Sequence, residues 1–196
     1  MSEYRERLRE AIGVFQSLED LEPALLNAAA LCIEALRNGH KLLLCGNGGS
    51  TAEAQHLAGE LMGNYTQHRA PLAAISLTAD SSVLTCIAND YGFDEIFARQ
   101  VRALGQPGDV LVVFSTSGNS PNIVAALQAA RQLDVKTIAF LGRDGGKAAA
   151  LTDCPVTVRH TDTARIQEAH QFLMHALMDE IEKAQLPSRV QRERFV

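Results

Sequence analysis

Five short apolar runs, at 41–45, 72–77, 110–114, 135–141 and 155–158, are separated by stretches in which apolar residues recur every three or four positions. The runs are rich in Leu, Val and Ile and mostly do not alternate with polar residues, as in strands covered on both faces. The periodic stretches predict helices over 50–62, 81–88, 95–104, 120–133 and 164–184. Residues 3–38 also read as helical, with Leu21, Leu25, Ala28, Cys32 and Leu36 on one stripe and Asn38-Gly39 as a stop signal, so two helices precede the first strand. Strand and helix in alternation predict a single α/β domain over residues 1–196: a three-layer αβα sandwich around a five-stranded parallel sheet, flavodoxin- or Rossmann-like, with extra N-terminal helices in 1–38. Ligands of such sheets bind beyond the carboxyl ends of the strands. Residues 185–196, with Pro187, Arg189, Arg192 and Arg194, read as a solvated tail.

Composition narrows the functional classes. With 46% hydrophobic and 21% charged residues, the 196-residue chain has the makeup of a globular domain able to bury a sizeable core. A net charge of -5 argues against a general electrostatic hold on nucleic acid or an anionic membrane. The charged N-terminus and the absence of a long apolar run point to a cytoplasmic protein with no membrane partner. The four cysteines, Cys32, Cys45, Cys86 and Cys154, are widely spaced and form no C-x-x-C pair, which predicts free thiols rather than a disulfide framework or thiolate zinc site.

Two polar loops follow apolar runs. Gly46-Asn47-Gly48-Gly49-Ser50 leads into a helix start, where free backbone N–H groups favour an anion. Ser115-Thr116-Ser117-Gly118-Asn119-Ser120-Pro121 ends on an N-cap and a first-turn proline and offers several hydroxyls without Lys or Arg, which suits a phosphate monoester. His56 and Glu60 share a helix face, with Glu53 one turn earlier, as a metal pair, an acid/base pair or a surface ion pair. On the last helix, His170 falls on the apolar stripe, whereas Gln167, Gln171 and His175 follow another face. Asn89-Asp90-Tyr91-Gly92-Phe93 reads as a loop, and Gly142-Arg143-Asp144-Gly145-Gly146-Lys147 as a turn that could form a third wall of the cleft.

Taken together, Cys45 to Ser50, Ala54-Gln55-His56, Glu60, Asn89-Asp90, Ser115 to Ser120, Gly142 to Gly146 and Arg165-Ile166-Gln167-Glu168-Ala169-His170 resemble the phosphoheptose isomerases of the sugar isomerase (SIS) domain superfamily. The resemblance implies a homotetramer with active sites at subunit interfaces and conversion of sedoheptulose 7-phosphate to D-glycero-D-manno-heptose 7-phosphate for lipopolysaccharide. It places the phosphate on Ser115, Thr116, Ser117 and Ser120. The sugar falls to Asn47, Gly48, Gly49, Asn89, Asp90 and Gln167, with Glu60 and His175 as catalytic residues. It also implies zinc on His56, Glu60, Gln167 and His175, although Gln167 and His175 lie about 12 Å apart along a straight helix. Two positions depart from the family pattern: Asn64 stands where many members carry Arg, and Ala164 where some carry an acid, leaving Arg69 as a candidate substrate cation. The alternatives are a non-catalytic tetramer that binds the replication initiator, whose members tend to lose the Glu and His retained here as Glu60 and His175, and a sugar-phosphate sensor that uses the same pocket without turnover.

Overall fold

The computed structural model describes residues 2–185, so the expected tail beyond Gln185 lies outside the described residues. Helices α1 (Glu3–Ser17) and α2 (Glu22–Arg37), joined by a 3-10 turn at Leu18–Leu21, precede the sheet. Strands β1 (Leu42–Gly46), β2 (Ala74–Ser76), β3 (Val110–Ser115), β4 (Lys136–Gly142) and β5 (Cys154–Val158) are all parallel and lie in the order β2-β1-β3-β4-β5. Between them run α3 (Gly49–Met62), α4 (Ser81–Tyr91), α5 (Ala98–Leu104), α6 (Pro121–Gln132) and the short α7 (Gly146–Ala149); α8 (Thr163–Gln185) closes the domain.

The apolar runs explain the layers. Alternate residues of the central strands point to opposite faces. Leu42, Leu44, Val110, Val112, Phe114, Ile138 and Phe140 pack under α1, α2, α3 and α8. Leu43, Cys45, Leu111, Val113, Ala139 and Leu141 pack under α5, α6 and α7, with Leu84 and Ile87 of α4 alongside. The predicted second strand shrinks to three residues because it is the edge strand, where only Ala74, Ile75 and Ser76 find ladder partners on β1.

The strand order places the site. From β1 the chain crosses to β2 on one side, and β3 then returns to pair with β1 on the other. The crossovers after β1 and β3 therefore leave in opposite directions, opening a crevice between the two loops that follow them. These are the glycine loop and the serine loop.

Candidate active site

A cavity of about 260 Å³ occupies that crevice, lined by Asn47, Gly48, Gly49, Ser50, Phe114, Ser115, Thr116, Ser120, Thr163 and Gln167. Gly49 opens α3, Ser120 is the N-cap of α6 and Thr163 opens α8, so three helices present their N-termini to one space. Among the described residues, no Lys or Arg lines it. Positive dipole ends and hydroxyls without a fixed cation make an anion site of the kind that holds a phosphate ester. Gly48 has φ 59° and ψ −121°, a conformation closed to side-chain-bearing residues, and a Cβ on Gly49 would come within 2.5 Å of the Gln167 amide. The glycines bring the backbone close to the cavity.

Neighbouring contacts hold the loops. Asn47 and Asn122 exchange two amide hydrogen bonds of 2.8 and 2.9 Å, tying the glycine loop to the first turn of α6. Ser115 Oγ accepts from Gly118 N–H and Ser117 Oγ from Asn119 N–H. Ser117 thus serves the turn and does not line the cavity, whereas the Ser120 hydroxyl makes no capping bond to α6. The segment after β4 buttresses the serine loop: Lys147 N–H donates to Asn119 Oδ1 and Ala148 N–H to the Gly118 carbonyl. It supports the serine loop instead of forming a separate wall of this cavity.

Along α3 and α8, which pack side by side, a second polar cluster lies beyond the cavity. His56 Nε2 is 2.9 Å from Glu60 Oε1. The His56 and His175 rings meet edge to face at 5.0 Å, and Tyr65 stacks on His175 at 5.9 Å. Burial raises the Tyr65 hydroxyl pKa above its usual range, with Asp179, Glu60 and Glu182 adding to it, so it stays protonated. Ligand atoms of His56, Glu60 and His175 all lie within 4.8 Å of one another. Two imidazole nitrogens and a carboxylate at that spacing fit a divalent metal such as zinc.

The fourth partner at this cluster is Gln171, whose Nε2 lies 2.8 Å from His56 Nδ1 and 3.3 Å from His175 Nε2. Gln167, expected beside His175, instead lies against Gly49 in the cavity. Helical rise is the reason: eight residues separate Gln167 from His175, while Gln171 and His175 are one turn apart. The i,i+4 spacing of Gln171 and His175 was the available signal.

Other expectations are redistributed. His170 is fully buried, as its stripe indicates, and its Nε2 lies 3.0 Å from the Leu141 carbonyl. Glu53 turns inward to face His170 Nδ1 at 3.8 Å and does not join His56 and Glu60. Asn89 and Asp90 lie in α4, not in a loop; they are exposed, hydrogen-bond to each other at 2.8 Å, and do not line the cavity. Arg69 is no substrate cation. Its side chain is 2% exposed, bonds to the Glu60 and Leu61 carbonyls at the end of α3, and faces Glu182 at 3.4 Å.

The SIS domain family profile matches residues 3–142. The phosphoheptose isomerase of Helicobacter pylori is 50% identical over 179 residues, covering 91% of this chain and 93% of that protein. This chain belongs to the phosphoheptose isomerase family. A second family member, the phosphoheptose isomerase of Pelobacter propionicus, is 49% identical over 91% of this chain and 95% of its own. Among solved structures, the phosphoheptose isomerase from Neisseria gonorrhoeae superposes with a TM-score of 0.87 at 48% identity, covering 92% of this chain and 97% of that one.

Proposed function

We propose that the chain interconverts sedoheptulose 7-phosphate and D-glycero-D-manno-heptose 7-phosphate, supplying heptose for lipopolysaccharide or a related glycoconjugate. The observation that carries this reading is the division of labour along α3 and α8. Their N-termini open on a cavity lined by hydroxyls and backbone amides, while Glu60 and His175 stand together further along the same helices. A sugar phosphate has the same polarity, with an anionic end and a carbonyl end separated by the carbon chain.

Ser115, Thr116 and Ser120 hold the phosphate end, with Asn47, Gly48, Gly49 and Gln167 along the sugar. Glu60, as carboxylate, takes a proton from C1 of the ketose, leaving an enediol, and returns it to C2 to give the aldose. His175 moves the accompanying proton between the two oxygens. Zinc held by His56, Glu60 and His175 would polarise those oxygens and stabilise the negative charge that develops on them.

The proposal includes a cytoplasmic homotetramer. Asn89 and Asp90 are exposed and outside the cavity, a placement that suits a role in a neighbouring subunit's site. Tyr4, Leu8, Ile12 and Phe15 leave an apolar stripe on α1, continued by Phe172, which meets Phe15 at 5.5 Å. That stripe suits a second copy of the chain.

The test is incubation of metal-depleted and zinc-restored protein with sedoheptulose 7-phosphate; no aldose product in either form overturns the reading. Glu60→Gln should lower kcat by at least about 100-fold and leave phosphate binding within error by calorimetry. Unchanged turnover removes Glu60 from the mechanism.

A further inference from the structure

Gln171 stands between the two histidines of the cluster, and the family pattern gives it no role. An amide nitrogen can only donate, so its two hydrogens require acceptors on both rings. His56 Nδ1 accepts at 2.8 Å, which puts the His56 ring proton on Nε2, where it is donated to Glu60 Oε1 at 2.9 Å. His175 Nε2 accepts at 3.3 Å, which puts its proton on Nδ1. With the amide in this orientation, one side chain serves both histidines. The His175 Nε2 lone pair, one that a cation would take, faces the electropositive end of an amide.

We infer that Gln171 is a positioning residue that fits both the metal-free and the metal-loaded state by turning its amide over. This rests on the metal site proposed above. Of the two His56 nitrogens, Nε2 faces Glu60, its fellow ligand, at 2.9 Å, and in this proposal it is the one that binds the shared cation. Its proton then belongs on Nδ1, which needs an acceptor. A half-turn of the Gln171 amide exchanges nitrogen for oxygen at the same place, so Oε1 receives the Nδ1 proton, and His175 Nε2 is freed for the metal. Metal-bound histidines characteristically depend on such an acceptor behind the ring.

Three variants of the full chain separate the possibilities, with zinc affinity read by competition against a chromophoric chelator. Gln171→Leu, which can neither donate nor accept, weakens zinc binding by about 10- to 100-fold. Gln171→Glu, which only accepts, recovers most of that loss. Gln171→Lys, which only donates, does not recover it. With six histidines in the chain, imidazole ¹⁵N–¹H correlation spectra report the tautomers directly. His56 is expected as the Nε2–H form without metal and as the Nδ1–H form with zinc. Unchanged zinc affinity in Gln171→Leu, or a His56 Nδ1–H form in the metal-free protein, overturns the assignment. Failure of the unaltered chain to bind zinc removes the metal site itself, and this role with it. Isomerase turnover, measured separately, decides the reaction.

Discussion

At the scale of single residues, burial decides which reactive groups react. Cys32, Cys45 and Cys154 are buried in the core, and burial pushes their thiols up, that of Cys32 to about 12. A raised thiol stays protonated through neutral and mildly alkaline pH, and the thiolate is the reactive form. Cys86 alone of the four is exposed. Titration of the folded protein with an aromatic disulfide at pH 8 should release one equivalent rapidly and the remaining three only after denaturation; fast release of two or more contradicts the core placement. The same principle sorts the histidines. His170 and His175 are five residues apart on one helix, yet one is sealed against Phe114 and Phe140 and the other stands with His56 at the surface.

At the scale of elements, the site depends on where helices begin. Asp162 precedes α8, and its Oδ1 accepts the N–H groups of Ala164 at 2.8 Å and Arg165 at 3.3 Å. Those two bonds, from Arg165 and Ala164, hold its carboxyl below the usual carboxylate range. A depressed carboxylate contributes stability above its unfolded pKa and loses it as pH falls through the folded one. Asp162→Ala should therefore lower Tm at neutral pH, with the difference from the parent shrinking as the pH drops below about 4; a gap independent of pH removes the charged cap as its cause. Because Thr163 and Gln167 hang from this first turn, the same variant should weaken phosphate binding. Arg69 shows the reverse relation at a C-terminus, where a buried guanidinium serves the last carbonyls of α3 and the Glu182 carboxylate.

At the scale of the whole molecule, a single chain presents the cavity between the glycine and serine loops and the His56-Glu60-His175 cluster, but leaves Asn89, Asp90 and the α1 stripe facing outward. Leu8 and Ile12 are about half exposed, at 47% and 50%, so charge there costs the isolated fold little while opposing burial against a neighbour. Leu8→Lys with Ile12→Lys should shift the protein to smaller species by sedimentation and lower turnover together with subunit association. Intact tetramers in this double variant place the interface elsewhere.

The pattern of apolar residues was enough to determine the layers, the parallel sheet and the two loops, because strands covered on both faces and helices covered on one leave distinct periods in a sequence. Local spacing likewise settled the His56-Glu60 pair, whose contact needs only one turn of helix. What tertiary structure decided were contacts between elements distant in sequence. Packing of α8 on α3 brought Gln171, not Gln167, to His56 and turned Glu53 towards His170. Closure of the last turn of α3 claimed Arg69. A side chain's period says which face it occupies; only the packing of helix on helix says what stands opposite, at what height along the axis, and so which of three glutamine and histidine positions on one face shares a site.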